Sequence, residues 1–330
     1  MKVWYSPYTL NPLFALNAKS KDPSPRQGFL LKVEFSDAGL GYADCHPWPE
    51  FGDDPAYIQL EGLQKDRPSP LLARSLELAR WDAGARSKGE SLFPTEPVLS
   101  SHYTLPDWEN FSLPLLNDIS NQGYAVIKLK VGPNLEEAGH FLRRLISVLP
   151  EDMKLRLDFN LTGDPESLSQ WISGLGQDFL PCIDFFEDPF PYDPDQWKAF
   201  RDKWGIPMAL DQELRWDQDL SGADVLVIKP VRNSGEDIEK CADLFGQKRW
   251  VFTHAMDHPV GRMMALAYAM NFYGINPQKV EAGGFESRPI YHPTAFDDGI
   301  FTDGYLQLGT DDVGIGFSQQ LDDCEWTECL

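Results

Sequence analysis

The chain has 330 residues, of which 42% are hydrophobic and 24% are charged, a composition typical of globular proteins and unlike that of disordered or fibrous ones. Its 51 acidic residues outnumber the 29 basic ones and give a net charge of −22, which argues against a nucleic-acid partner and against binding to an anionic membrane surface. An anionic small-molecule substrate would therefore need local positive charge in its binding site.

The first part of the sequence predicts an α+β domain. Two strands are predicted at residues 28–35 and 39–48, where apolar runs flank a turn. Two helices are predicted to follow at residues 55–66 and 70–87, the second with apolar residues mostly at helical spacing. Strands followed by helices indicate a separate α+β unit, which we assign to residues 1–95 as a capping domain.

From residue 96 the pattern changes to short apolar strands that alternate with helices, such as those predicted at 135–148 and 164–174. The predicted strands are residues 97–104, 124–130, 154–158, 183–187, 207–211, 225–229, 249–254 and 279–282. This alternation indicates parallel strands joined by crossover helices. Eight such units predict a (β/α)8-type barrel over residues 96–304, with an open doubly wound sheet as the alternative.

The remaining features concern the tail and the compartment. Residues 305–330 carry a weak strand signal and an acidic end, and we expect them to pack back on the capping domain. Five cysteines at scattered positions, with no CxxC pair, indicate reduced thiols in a cytoplasmic protein. The first residues lack the apolar stretch of a signal peptide, and no window approaches the roughly 18 apolar residues of a membrane-spanning helix.

Five successive predicted strands end on charged residues. Each charged residue follows an apolar run, and the spacing between successive strands is about one βα unit. The residues are Lys128 and Lys130, Asp158, Glu187, Asp211 and Lys229. In a parallel barrel the carboxyl ends of all strands lie at one mouth, where active sites are built, so these side chains are expected to converge.

The three carboxylates of this set predict a metal site. Alone, a strand-ending Asp or Glu is usually the N-cap of the next helix. Together, Asp158, Glu187 and Asp211 would repel one another unless a cation lay between them. Oxygen ligands favour a hard divalent metal, and Mg²⁺ fits best.

The lysines predict proton transfer beside that metal. Alone, a lysine after a strand is usually an exposed charge. Lys128 and Lys130 are two residues apart and therefore point to one face of a strand, and Lys229 arrives from the other side of the mouth. A lysine beside other cations has its charged form disfavoured and can act as a base. A lysine base with a metal that stabilises an oxyanion suits removal of the proton next to a carboxylate.

These residues carry a family resemblance. The motifs Lys128-x-Lys130, Asp158-x-Asn160, Glu187-Asp-Pro189, Asp211 and Lys229-Pro230 resemble those of the enolase superfamily, in its muconate-lactonising-type subgroup. The resemblance implies a modified (β/α)7β barrel with an N-terminal capping domain, and Mg²⁺ with a lysine or histidine base. Strand five of the family usually ends Asp-Glu, whereas this chain reads Asp211-Gln212-Glu213.

Within the superfamily the chain is most similar to o-succinylbenzoate synthases. The segment from Gly41 to Gly52, GYADCHPWPEFG, resembles a segment of their capping domain, and Asp158-Phe-Asn160 also fits. This resemblance implies a hydro-lyase that dehydrates 2-succinyl-6-hydroxy-2,4-cyclohexadiene-1-carboxylate through an enediolate, in menaquinone biosynthesis.

The resemblance also implies roles for individual residues. Asp158, Glu187 and Asp211 would hold Mg²⁺. Lys130 would take the α-proton and return it to the departing hydroxyl, Lys128 would hydrogen-bond the enediolate, and Lys229 would offset negative charge. Loops at residues 12–27 and 49–52 would close over the mouth. We expect substrate contacts from Asn160, Thr253, His254 and Gly284, with His254 interpreted as a wall of the pocket rather than the base.

Two alternatives stay open at this point. An N-succinylamino-acid racemase or a dipeptide epimerase could use Lys130 and Lys229 on opposite faces of its substrate. A non-catalytic barrel that binds a metal is the second alternative. The partner we expect is a small-molecule carboxylate, with no nucleic acid and no membrane, and the sequence does not distinguish a monomer from a homo-oligomer.

Overall fold

The computed structural model describes residues 1–14, 16, 23–94, 99–105, 108, 111–132, 134–176, 178–244, 246–285, 290–297, 301–302, 305–306 and 312–329. The strands are β1 (Lys2–Leu10), β2 (Arg26–Phe35), β3 (Gly39–Cys45), β4 (Tyr103–Leu105), β5 (Val126–Lys130), β6 (Lys154–Asp158), β7 (Ile183–Glu187), β8 (Met208–Leu210), β9 (Val225–Ile228), β10 (Arg249–Phe252), β11 (Phe301–Thr302), β12 (Tyr305–Leu306) and β13 (Thr327–Glu328). The α-helices are α1 (Ala56–Gln64), α2 (Pro70–Lys88), α3 (Leu113–Asn121), α4 (Leu135–Ile146), α5 (Pro165–Leu175), α6 (Pro194–Trp204), α7 (Gly235–Leu244), α8 (Pro259–Ile275) and α9 (Ser318–Asp322).

The N-terminal unit is an antiparallel sheet in the order β13-β1-β2-β3, covered by α2. The strand β1 was not predicted, because Ser6 and Pro7 interrupt its apolar residues and a proline in a run argues against a strand. At Gly41 the helix α2 approaches β3 so closely that an added Cβ would overlap the carbonyl oxygen of Ala79. The tail strand β13 pairs with β1 at Trp4 and Tyr5. The domain limits at residues 95 and 304 stay predictions.

The helix α2 begins and ends where its sequence directs. The hydroxyl of Ser69 accepts a hydrogen bond from the backbone N–H of Leu72, Pro70 fills the first turn, and Gly89 ends the helix in the left-handed region at φ 69°. The prediction at residues 70–87 differs from α2 by one residue. Its fully buried Asp82 accepts hydrogen bonds from the backbone N–H groups of Tyr42 and Ile315 and from Arg86 Nε, so α2 holds both the sheet and the tail.

The second unit is a curled sheet of parallel strands in the order β10-β9-β8-β7-β6-β5-β4, with helices outside it. The fold class predicted from the alternating pattern, a modified (β/α) barrel with an α+β cap, is confirmed. The predicted first strand is shorter than expected, and its beginning at Pro97 lies outside the described residues. Among the described helices, none combines the length and apolar character needed to cross a membrane.

The predicted eighth strand at residues 279–282 is wrong. Residues Pro277–Lys279 form a 3₁₀ turn, and the sheet is completed further along, where Gly283 bridges Ser101 and Gly284 bridges Thr253, both in parallel. We call Gly283 and Gly284 the seam, because they join the two edges of the sheet. A side chain fits at neither position, since an added Cβ would lie 2.5 Å from the Phe285 ring at Gly283 and would overlap the Thr253 hydroxyl at Gly284.

An ion-pair network crosses the barrel interior beneath the mouth. Arg156 and Arg249 both bind Asp184, with N–O distances of 2.7 Å in each case. Arg249 also binds Glu281 through two nitrogens, at 2.6 and 2.9 Å. Because these residues lie on β6, β7, β10 and the segment before the seam, the network ties the seam to three strands of the sheet.

We predict that Asp82→Ala lowers the free energy of unfolding by about 3–5 kcal/mol, because it leaves Arg86 Nε and two buried N–H groups without their acceptor. Urea unfolding followed by tryptophan fluorescence measures the change. The matched control is Asp37→Ala, which removes an exposed Asp–Arg pair with Arg80 and should leave the midpoint unchanged. Equal effects from the two substitutions would contradict the role given to Asp82.

Candidate active site

A cavity of about 560 Å³ lies at the carboxyl ends of the barrel strands, beneath the N-terminal unit. Its lining combines strand-end charges with aromatic and apolar residues contributed by the first 51 residues. The cap contributes Phe14, Leu16, Trp48 and Phe51; the barrel side includes His102, Thr104, Lys128, Lys130, Asp158, Asn160, Asp211, Glu213, Lys229, Arg232, Thr253, His254 and Gly284. The predicted residues from distant strands therefore meet at one mouth, with Glu187 buried beside them.

Two of the three lysines are held by carboxylates. Lys128 Nζ lies 2.7 Å from Glu187 Oε1 and 3.1 Å from Asp158 Oδ2. Lys229 Nζ lies 2.6 Å from each carboxylate oxygen of Asp211. Burial disfavours the charged form of Lys128, but the charges of Asp158 and Glu187 outweigh burial, and its pKa is raised above the ordinary value. Lys128 is therefore a fixed cation.

Lys130 has a different environment. Its Nζ donates a hydrogen bond to the backbone carbonyl of Leu16 at 2.7 Å, and no carboxylate lies within ion-pair distance among the described residues. Burial lowers the pKa of Lys130, the charges of Lys128 and Lys229 lower it further, and the Asp158 charge opposes them only in part. Lys130 is thus a site lysine whose environment favours its neutral form.

The three carboxylates form a donor set of the type that hard cations bind. The pKa of Glu187 is raised to about 7, because burial and the charges of Asp158 and Asp211 raise it by more than Lys128 lowers it. This mutual repulsion of buried oxygens is what a divalent cation would relieve, so the residues present fit Mg²⁺. Among the described residues, no three acidic, histidine or cysteine side chains form a ready-made metal site, because lysines now pair with these oxygens.

The turn after β7 positions the third carboxylate. Asp188 is fully buried, and its two oxygens accept hydrogen bonds from the backbone N–H groups of Asp211 at 3.0 Å and Gln212 at 2.9 Å. Its φ of 44° places it in the left-handed region. Sequence reasoning treated Asp188 only as part of a motif. The available signal was a second acid that directly follows Glu187 and precedes Pro189.

Asn160 closes the turn after β6. It lies at φ 49°, a region that asparagine tolerates better than most residues. Its backbone N–H donates to Asp158 Oδ1 at 3.1 Å, and its side-chain oxygen accepts from Gln212 Nε2 at 3.0 Å. Glu213 accepts the backbone N–H of Tyr192 at 2.6 Å, whereas Asp211 faces Lys229. This geometry favours Asp211 over Glu213 as the third ligand.

The other predicted substrate contacts lie on the seam side of the cavity. The Thr253 hydroxyl donates to the carbonyl oxygens of His254 and Gly284. His254 Nδ1 accepts the backbone N–H of Met256 at 2.9 Å. Burial, together with the charges of Arg262 and Lys229, lowers the pKa of His254 to about 3. Because the ring binds a proton so weakly, His254 suits a residue that lines the pocket better than a catalytic base. Its role stays a prediction.

Contacts from the N-terminal unit to the barrel rim were not predicted. Asp53 receives two 2.8 Å hydrogen bonds from Arg232 Nη2, beside Lys229. Trp48 donates its indole N–H to the carbonyl of Ala255 at 3.0 Å. Their partners are over 175 residues away in the chain, and a single sequence carries no signal for such pairs. The cap is therefore fixed to the rim on the side opposite Leu16.

Comparisons with known proteins agree with this architecture. Residues 3–85 match the model of the o-succinylbenzoate synthase N-terminal domain, and residues 115–323 match the enolase C-terminal domain-like family. An o-succinylbenzoate synthase of Bdellovibrio bacteriovorus is 32% identical over 334 residues, which cover 99% of this chain and 98% of that protein.

Two solved structures show the same fold at lower identity. An N-succinyl Arg/Lys racemase from Bacillus cereus aligns with a TM-score of 0.77 and 15% identity over 99% of both chains. A dipeptide epimerase from Enterococcus faecalis, complexed with Mg and the dipeptide L-Leu-L-Tyr, aligns with a TM-score of 0.76 and 16% identity over 96% of this chain and 98% of that one. At these identities the likeness concerns the fold alone.

We predict that Asp188→Ala lowers the free energy of unfolding by about 1–3 kcal/mol, because two buried N–H groups lose their acceptor. Amide hydrogen exchange at Asp211 and Gln212 should become faster than in the parent protein. Asp188→Asn keeps one acceptor oxygen, so its exchange rates at these two amides should lie between those of the parent protein and those of Asp188→Ala. Unchanged exchange at both amides in Asp188→Ala would show that Asp188 does not hold the end of β8.

Proposed function

The chain belongs to the enolase superfamily and, within it, to the o-succinylbenzoate synthase family; from this premise we propose that it is a Mg²⁺-dependent lyase. The proposed reaction is dehydration of 2-succinyl-6-hydroxy-2,4-cyclohexadiene-1-carboxylate to o-succinylbenzoate, in menaquinone biosynthesis. The observation that carries the proposal is the asymmetry of the site lysines. Lys130 contacts a neutral carbonyl and has a lowered pKa, whereas Lys128 and Lys229 are held by carboxylates.

The chain's own residues account for both proton movements. As a neutral amine, Lys130 Nζ takes the proton from the carbon next to the substrate carboxylate. The same Nζ, now an ammonium, gives that proton to the departing hydroxyl, which leaves as water, and the ring becomes aromatic. One base that acts twice suits a lysine whose charged form is disfavoured by its surroundings.

The other charges hold the negative charge that develops on the substrate. Asp158, Glu187 and Asp211 would hold Mg²⁺, which when bound supplies positive charge next to the substrate carboxylate. Lys128, fixed by Asp158 and Glu187, donates a hydrogen bond to the oxygen that gains charge. Lys229 offsets charge from the opposite side of the mouth. The cap residues Trp48 and Phe51 limit the access of water to these charges.

The racemase or epimerase alternative requires a second base. Lys229 lies on the far side of the mouth from Lys130, at the end of β9 rather than β5, which is the placement such an enzyme uses. However, both oxygens of Asp211 lie 2.6 Å from Lys229 Nζ, so this lysine is engaged by a carboxylate, whereas Lys130 contacts a neutral carbonyl. Because the ion pair with Asp211 engages the lysine that would have to serve as the second base, the lyase is the function we favour.

We further propose a cytoplasmic location and a small-molecule carboxylate as the partner. All five cysteines are free, which fits a reducing compartment. The side chains of Lys128, Lys229 and Arg232 place cationic groups at the mouth for an anionic substrate, on a protein of net charge −22.

The direct test is an assay of the purified protein with Mg²⁺ and the cyclohexadiene acid. We expect an aromatic product to form, turnover to stop when a chelator removes the metal, and turnover to return with added Mg²⁺. N-succinylamino acids and dipeptides, incubated in deuterated water, test the alternative. Deuterium incorporation with inversion, and no aromatic product from the acid, would reject the lyase in favour of the racemase or epimerase.

We predict that Lys130→Ala lowers kcat by about a hundredfold to ten-thousandfold, because proton transfer loses its base. Isothermal titration with Mg²⁺ should give an affinity close to that of the parent protein, since Lys130 contacts none of the carboxylates. The control Lys65→Ala removes an exposed lysine paired with Glu61 and should leave turnover unchanged. Near-native turnover by Lys130→Ala would remove Lys130 from the role of base.

A further inference from the structure

His102 lies deeper in the barrel than the strand-end charges. It precedes β4, two residues before Thr104, which pairs with Lys128 across the sheet. Thr104 and His102 therefore point to the same side, with His102 one layer lower. The ring is nearly buried, at 5% exposure, and yet lines the cavity. His102 thus forms part of the base of the cavity.

The proton on the His102 ring is fixed by its neighbour. Arg156, 1% exposed, places Nη1 3.1 Å from His102 Nδ1, and the same nitrogen lies 2.7 Å from the carbonyl of Ala282. A guanidinium donates hydrogen bonds and never accepts them, so Nδ1 must accept. The proton of the neutral ring is then on Nε2. Burial and the Arg156 charge lower the pKa of His102 well below its ordinary value, so the ring stays neutral.

The Arg156 guanidinium is itself held in place. Its Nε lies 2.7 Å from Asp184 Oδ2, and its Nη2 lies 3.6 Å from Glu281 Oε2, within the ion-pair network beneath the mouth. Nε2 of His102, by contrast, has no hydrogen-bond partner in the part of the chain that the structure describes. The result is a neutral N–H donor at Nε2 that is available to a ligand in the cavity, on a ring that Arg156 holds in place at Nδ1.

The position of His102 indicates which part of a ligand it meets. In strand order the seam lies opposite β7, the middle of the three strands that carry Asp158, Glu187 and Asp211. A substrate whose reacting carboxylate lies by those strands has the seam, with His102 beside it, on the far side of the cavity. There Gly284 leaves room, since an added Cβ would lie 3.0 Å from His102 Cε1.

We propose that His102 is a substrate-binding residue whose Nε2–H donates a hydrogen bond to an oxygen of the substrate tail, and that Arg156 is the positioning residue that fixes this donor. The inference rests on the proposed function and deepens it by naming the class of tail that the site takes. A donor-only edge selects a carbonyl or carboxylate oxygen, as in a succinyl chain. It cannot bind an ammonium group or an amide N–H, because these groups are donors and need a hydrogen-bond acceptor.

The test uses His102→Asn in the full chain. Asparagine places its side-chain oxygen near the position of Nδ1, so Arg156 keeps an acceptor, whereas nothing replaces Nε2–H. With the cyclohexadiene acid we expect KM to rise about tenfold to hundredfold and kcat to stay within about twofold, because the lost bond is present in both the bound substrate and the transition state. The control His140→Asn makes the same change on an exposed helix and should alter neither constant.

Binding of two ligands locates the contact. His102→Asn should weaken the binding of o-succinylbenzoate by a similar factor and leave that of benzoate, which has no tail, unchanged. Equal weakening of both ligands, or unchanged KM and unchanged o-succinylbenzoate binding in an active parent enzyme, would overturn the inference alone. A parent protein that neither binds o-succinylbenzoate nor turns over the acid would overturn the proposed function, and the inference with it.

Long-range ¹H–¹⁵N spectra of the histidine rings test the tautomer without any substrate. The His102 signals are identified by their loss in His102→Asn, and we expect the pattern of a neutral ring protonated at Nε2. In Arg156→Gln the ring should show a mixture of tautomers, a change that a purely structural role for Arg156 would not produce. A ring protonated at Nδ1 in the parent protein would overturn the inference.

Discussion

The convergence of three carboxylates and three lysines at one mouth, with the Asp158 and Glu187 side chains buried, is the constraint on which this structure depends. Carboxylates at the ends of β6, β7 and after β8 cannot be buried together unless cations neutralise them. Lys128 and Lys229 meet this requirement directly, and their pairing separates their chemistry from that of Lys130. The ion pairs that allow the carboxylates to be buried in the fold are therefore the same ones that set the roles of the lysines in the reaction.

Much of this arrangement could be predicted from sequence. In a parallel barrel, the spacing of the strands along the chain determines where each strand end lies. Once apolar strands alternate with helices, every strand end lies at the same mouth, so Asp158, Glu187 and Asp211 must converge. The helix α2 was equally accessible, since Ser69, Pro70 and Gly89 mark its ends with local chemistry. What was predictable was either periodic along the chain or determined within a few residues.

The features that escaped prediction depend on pairs distant in the chain. The seam replaces a predicted strand with two glycines, and only the contacts with Thr253 and Phe285 show why no side chain fits there. The tautomer of His102 follows from Arg156, 54 residues later. Strand β1 was missed because Pro7 breaks its local pattern, although the sheet on both sides stabilises it. A single sequence gives the identity of such residues but does not show which distant residues they contact.

The pairing of β13 with β1 also bears on how the molecule is made. Residues 327–328 complete a sheet that begins at residue 2, and Ile315 binds the Asp82 carboxylate of α2. During synthesis the barrel strands leave the ribosome before the last partners of the cap exist. Contacts over such separations close slowly, because a long loop must be ordered first. The cap is thus completed after the barrel beneath it, and a nascent chain would carry the catalytic charges before it could shield them from water.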